Sequence, residues 1–156
     1  MKELSTLVDD VYETVTAITG GQEIPDELLD ELGDKIKKTI KTWATPQNRN
    51  KFTLRMSNIG RPARQLYYSN QQTQDITHAP ETQIKFLYGH LLEDILIFFV
   101  KLSGHVVTDE QKEVNVNGIK GHMDCKIDGE VIDIKTASNY AFRKFKNKTL
   151  REVRGY

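Results

Sequence analysis

The 156-residue chain has a single cysteine, Cys125. No intramolecular disulfide can form, and a cluster held by several thiolates of one chain is excluded. Long apolar runs are missing too: the longest, Ile95–Val100, falls far short of the roughly 20 residues that span a bilayer. The opening Met1-Lys2-Glu3 carries no apolar signal core, which points away from secretion and, with the lone thiol, towards a reducing cytoplasm. Internal repeats and low-complexity segments are absent. What remains is 38% hydrophobic and 28% charged, enough for one globular domain with a helical appendage.

Net charge is zero, but the charges are sorted along the chain. Met1 to Asp34 holds ten acids against one lysine, and Lys35 to Arg64 holds nine basic residues and no acid. Lys135 to Arg154 adds seven basic residues opposed only by Glu152. Blocks of this kind make a positive surface for a polyanion, or else are solvated helix faces.

Leu4, Leu7, Val8, Val11, Val15 and Ile18 recur at helical spacing and stop at Gly20-Gly21. Pro25-Asp26-Glu27 opens a second helix, acidic first and lysine-rich late, in the order that suits the helix dipole. A loop follows around Pro46 to Asn50, then a short helix capped by Ser57 that carries Arg61, Arg64, Tyr67 and Tyr68, then a polar loop from Asn70 to Pro80. From Ile84 to Leu102 the pattern predicts a long helix, apolar on most sides and ending near Ser103-Gly104. Short strands follow at His105–Val107, Val114–Val116, Ile119–Ile127 and Glu130–Lys135, punctuated by Asn117-Gly118 and Asp128-Gly129. A last helix has Ala141, Phe142 and Phe145 on its apolar side. The order helix, three strands, helix predicts an α/β sandwich nucleus built on a meander. The expected division is a helical region with a basic block, residues 1–80, placed to contact a polyanion such as DNA, and a core, residues 81–156.

The Asp128-Gly129 hairpin fixes a register, because Asp-Gly between alternating runs signals a two-residue turn. Cys125 then faces Ile132, Asp124 faces Asp133, and His122 lies opposite Lys135. Side chains alternate, so His122, Asp124, Asp133 and Lys135 share one face, with Met123, Cys125, Ile132 and Ile134 on the other. Opposed residues have Cβ atoms about 4.5–5.5 Å apart, where like charges are destabilising. A divalent cation between Asp124 and Asp133 resolves that conflict, and carboxylate oxygens suit Mg²⁺ or Mn²⁺. An isolated Asp-x-Lys is usually an exposed charged pair; here the register, Asp124 and the upstream helix converge.

Gly121-His122-Met123-Asp124 followed by Val131-Ile132-Asp133-Ile134-Lys135-Thr136 resembles the signature of PD-(D/E)XK nucleases, and among them the RecB-like and phage-type exonucleases. Gly89 to Glu93 is similar to their Gly-x-x-x-(Glu/His) helix motif. The resemblance covers Glu81 to Lys146 and implies a restriction-endonuclease-like α/β core. It implies metal binding by Glu93, Asp124, Asp133 and the carbonyl of Ile134, with Asp94 the fallback for Glu93, and Lys135 as the catalytic lysine. His122 would contact phosphate or orient water. Arg61 stands where such enzymes often carry a cluster-ligating cysteine, so no iron–sulfur cluster is expected. Arg64, Tyr67 and Tyr68 either hold a single strand or pack into the helical lobe. Arg61, Arg143, Lys144 and Lys146 are further candidate DNA contacts. A Gln-x-x-x-Tyr helix is missing after Lys135, so the expectation is either a fragment or a reduced version whose C-terminal core elements a second copy or a partner subunit would supply.

The function expected is a Mg²⁺- or Mn²⁺-dependent deoxyribonuclease, an exonuclease rather than an endonuclease. It would serve recombination, repair or phage DNA metabolism in a bacterial or phage-infected cytoplasm, with DNA rather than membrane as partner. The alternative is a catalytically reduced DNA-binding module of a larger assembly. A zinc site from His90, His105 and His122 is disfavoured, because their spacing fits no common motif.

Overall fold

The computed structural model describes residues 2–45, 54–71 and 78–146. The expected loop at Pro46–Asn50, most of the one following Asn70, and the basic residues beyond Lys146 lie outside the described residues, as do the side chains of Lys144, Phe145 and Lys146. The chain is mixed α/β: helices packed with small antiparallel sheets. Among the described residues no helix is long and apolar enough to cross a membrane.

Helix α1 (Leu7–Thr19) ends at Gly20, with Gly21 in the left-handed region at φ 102°. Helix α2 (Asp26–Ala44) starts after Pro25, with Asp26 and Glu27 in its first turn and Lys41 in its last. Both pack on α4 (Pro80–Leu102). Inward, Ile97, Phe98 and Val100 of α4 are buried, whereas Ile84, Tyr88, Leu92 and Leu96 form a half-exposed stripe at four-residue spacing.

Helix α3 (Ala63–Gln71) starts later than expected. Ser57 belongs instead to a 3-10 turn, Met56–Asn58. Pro62 disfavours helical backbone at Arg61, so the helix begins beyond it and Arg61 precedes it. Helix α5 (Asn139–Lys146) is present, its Ala141 N–H bonded to Ser138 Oγ at 3.2 Å, but Ala141 and Phe142 are exposed.

The expected single meander divides in two. Strands β1 (Val107–Thr108), β4 (Cys125–Ile127) and β5 (Glu130–Ile132) form a three-stranded antiparallel sheet in the order β1-β4-β5. Strands β2 (Glu113–Val116) and β3 (Ile119–His122) form a separate hairpin between β1 and β4. The run Ile119–Ile127 therefore breaks at Met123-Asp124. There the β1–β2 connection takes over the backbone: Met123 N–H donates to the Lys112 carbonyl at 3.1 Å, and Gln111 N–H donates to the Asp124 carbonyl at 2.8 Å. Gly121 is needed for a second contact of this hairpin, since a Cβ there would lie 2.8 Å from Met56 Cβ.

Val100, Cys125 and Ile127 form the buried cluster, against which Leu4, Leu7, Val11, Val107, Ile132 and Ile134 pack. The N-terminal residues thus share one apolar cluster with the sheet. A polar clasp closes the same junction. Buried His105 contacts Asp128 through Nδ1 at 2.5 Å and Asp10 through Nε2 at 3.0 Å. Lys2 pairs with Asp10 at 3.1 Å and donates to the Ser103 carbonyl at 2.8 Å. Asp128 also accepts the Val106 N–H at 3.1 Å, and these bonds, the one from His105 foremost, hold its carboxyl below the usual range.

Candidate active site

Asp128 at φ 49° and Gly129 at φ 92° are both left-handed, the requirement of a type I′ turn. The ladder it sets pairs Cys125 with Ile132, Lys126 with Val131 and Ile127 with Glu130, the register predicted from the sequence. Regular pairing ends there, and Asp124 and Asp133 are the next residues outward on the two strands. Cys125 and Ile127 point into the core, which turns Asp124 to the opposite side.

The two aspartates sit in different environments. Asp124 is 17% exposed and accepts the Ile134 N–H through Oδ2 at 2.7 Å, so its carboxylate reaches across to the partner strand. Asp133 is 66% exposed and pairs through Oδ1 with Lys135 Nζ at 2.6 Å. Lys135 also stands 4.0 Å from Asp124 Oδ2. The hydrogen bond to Asp133, with the nearby charges of Asp133, Asp124 and Glu93, raises the Lys135 pKa above its ordinary value.

Helix α4 supplies Glu93. It passes close to the segment after β5 at Gly89, where a Cβ would meet Thr136 Oγ1 at 3.9 Å. Glu93 comes one turn later. Burial pushes its carboxyl up, and the charge of Asp124 adds to that, while a hydrogen bond from Gln111 Nε2 opposes it. Gln111 was not singled out by sequence. It binds Glu93 with its side chain and Asp124 with its backbone, in a left-handed conformation (φ 49°) unusual for glutamine. Nothing in the residue type signals that role.

Glu93, Asp124, Asp133 and Lys135 are therefore brought together. Among the described residues, however, no group of three His, Cys, Asp or Glu side chains stands ready to hold a metal ion. Each of the three acids has a protein donor: Gln111 on Glu93, Ile134 N–H on Asp124, and Lys135 on Asp133. Each bond uses one oxygen. Glu93 Oε2, Asp124 Oδ1 and Asp133 Oδ2 have no hydrogen-bond or ion-pair partner among the described residues. Carboxylate oxygens are the donor type that a hard divalent cation takes, but as arranged here the three acids do not form a group that holds one.

His122 is not opposite Lys135. It ends β3 in the other sheet, paired with Glu113, because the chain breaks at Met123-Asp124 before β4 begins. It lines a cavity of about 400 Å³ with Arg55, Ser57 and Lys120. Tyr67 and Tyr68 are 61% and 53% exposed and so are not packed into the helical lobe. Their rings meet edge-on at 5.6 Å, and the Arg64 guanidinium lies 5.8 Å from the Tyr68 ring centre. Arg61 and Arg143 are exposed. Of the residues considered for zinc, His105 is engaged by Asp10 and Asp128; the lone Cys125 is fully buried with its thiol pushed up to about 11, mainly by burial.

Compared with protein-family models, curated proteins and solved structures, the chain matches none.

Proposed function

We propose that this chain is a divalent-cation-dependent nuclease that hydrolyses DNA phosphodiester bonds, acting on the ends of linear DNA. The observation that carries the reading is the convergence of Glu93, Asp124, Asp133 and Lys135 at the open end of the β4–β5 hairpin. Glu93, Asp124, Asp133 and the Ile134 carbonyl would hold Mg²⁺ or Mn²⁺, which supplies water activation and neutralises charge developing on the phosphate.

The chain's own residues account for the rest. Lys135 has a raised pKa, so at neutral pH it is an ammonium and not a proton acceptor. Its role is electrostatic: it lies beside the acids and stabilises negative charge on the phosphoryl oxygens as the bond breaks. Glu93 is held at the cost of burial and repulsion from Asp124, a tension that a bound cation relieves. Gln111 keeps Glu93 aimed at the site.

A second reading, a DNA-binding module without catalysis, is favoured by the donors that already satisfy each acid. Digestion of end-labelled linear DNA separates the two. With Mg²⁺ the wild type should release label, whereas EDTA or Asp133→Asn should stop it. Binding without cleavage in Mg²⁺ and in Mn²⁺ would leave the second reading. Cutting of closed circular plasmid would mean that ends are not required.

A further inference from the structure

Between α2 and α4 runs a groove of about 630 Å³, within the size range of small-ligand sites. Its lining includes Lys38, Trp43, His78, Phe86, His90 and Gln111. Trp43, at the end of α2, is fixed by its indole N–H, which donates to the Gln83 carbonyl of α4 at 3.0 Å. Trp43 is nonetheless 40% exposed, and Phe86 is 49% exposed. His78 stands edge-on to Phe86, with ring centres 5.3 Å apart.

Of the two acids of the groove, Glu110 is neutralised by lysines and Asp94 keeps its charge. Asp94 accepts the Thr39 hydroxyl at 2.8 Å, and Glu110 pairs with Lys35 at 2.5 Å and Lys101 at 2.6 Å. Lys38 has no ion-pair partner among the described residues and is exposed. Gln111, which also lines the groove, is the residue whose amide holds Glu93. Gln111 therefore links the groove to Glu93.

We infer that this groove seats unpaired bases of a nucleic acid strand, with Trp43 and Phe86 as stacking surfaces and Lys38 on the backbone. The strand leads past Gln111 towards Glu93, Asp124 and Asp133. Aromatic faces beside a free cation suit bases of any sequence, since every base has a π-face. Paired bases are enclosed in their own stack and cannot reach these rings. The direction of the strand rests on the nuclease reading above; the occupancy of the groove does not.

Trp43 is the only tryptophan of the chain, so its emission reports on this groove alone. Titration of the full-length protein with a short oligodeoxythymidine, in EDTA and again in Ca²⁺, should quench that emission saturably. Blunt duplex DNA should quench at least roughly tenfold less well at equal nucleotide concentration. Phe86→Ala should weaken single-strand binding by roughly 5- to 150-fold, the loss of one stacked base. If Phe86→Ala does not fold, Phe86→Leu, which keeps apolar bulk without a π-face, serves the same comparison. Lys38→Ala should reduce the slope of log affinity against log salt by about 0.7. The inference is overturned if the oligonucleotide leaves Trp43 emission unchanged, if duplex or thymidine monophosphate quenches as tightly, or if a folded Phe86 variant binds like the wild type. Quenching without cleavage would sink the nuclease reading and keep the groove; cleavage without quenching would do the reverse.

Discussion

The backbone N–H of Ile134 donates to Asp124 Oδ2 at 2.7 Å, joining the two strands beyond the last regular pair of the β4–β5 ladder. This bond fixes one oxygen of Asp124 while the other has no partner among the described residues. It also shapes how the metal site should be tested. Asp124→Ala would orphan the Ile134 N–H as well as remove a ligand, so a loss of stability would be ambiguous. Asp124→Asn keeps an acceptor for that N–H and removes only the charge. Mn²⁺ should raise the Tm of the wild type, by mass action on the folded state, and leave Asp124→Asn within error of its metal-free value. An equal shift in both proteins would remove Asp124 from the site.

Glu93 makes a prediction about pH. Its folded pKa is raised by burial and by the charge of Asp124. A raised carboxyl favours the protonated form in the folded state, so the contribution of Glu93 to stability is greatest below the ordinary value of 4.5 and is lost as pH rises through the folded value. Glu93→Gln removes that cost while its amide oxygen still accepts from Gln111. In EDTA at neutral pH the variant should melt higher than wild type by the order of 2 °C. The gain should vanish below pH 4.5, where Glu93 is protonated in both states. A variant that melts lower at neutral pH would mean that Glu93 serves stability rather than a cation.

The turn was legible in the sequence because Asp-Gly demands two left-handed residues, and that local demand propagates along the ladder to Asp124 and Asp133. The helix ends at Gly20 and Ser103, and the acidic start of α2, were legible for equally local reasons. The break at Met123-Asp124 was not. It depends on Gln111 and Lys112, residues distant in the chain that claim those backbone groups, and alternation alone reads the run as one strand. His122 was misplaced in consequence. His105 was likewise opaque, because its partners Asp10 and Asp128 are set by packing of α1 against the sheet.

That clasp can be tested. The Asp128 pKa is lowered, chiefly by His105, so it contributes stability above the ordinary carboxylate value of 3.8 and loses it as pH falls through the folded value. His105→Ala leaves Asp128 buried without its main partner. Losing that bond should lower stability at neutral pH. Denaturant unfolding should register that loss, and the acid limb of stability should move to higher pH. Unchanged unfolding would make the clasp incidental.

Two lysines flank the aspartate pair and separate chemistry from charge. Lys135 is paired with Asp133 and lies 4.0 Å from Asp124. Lys126, on β4 towards the turn, is instead paired with Asp109 at 2.9 Å. Removing either lysine deletes one positive charge, from β4 or from the segment that follows β5. Only Lys135→Ala removes a charge beside the acids, where a scissile phosphate would lie. Its cleavage of linear DNA should fall by at least about a hundredfold, the scale of losing one electrostatic contact in the transition state. Binding of the same DNA in Ca²⁺ should weaken only slightly, since one charge among many phosphate contacts is a small part of the total. Lys126→Ala should cut within a few-fold of wild type, having lost only a partly exposed pair away from the acids. Should Lys135→Ala cut as fast as Lys126→Ala, Lys135 would have no part in the chemistry and the four-residue site would be wrong. Equal losses in cleavage and binding for both variants would reassign Lys135 to holding DNA.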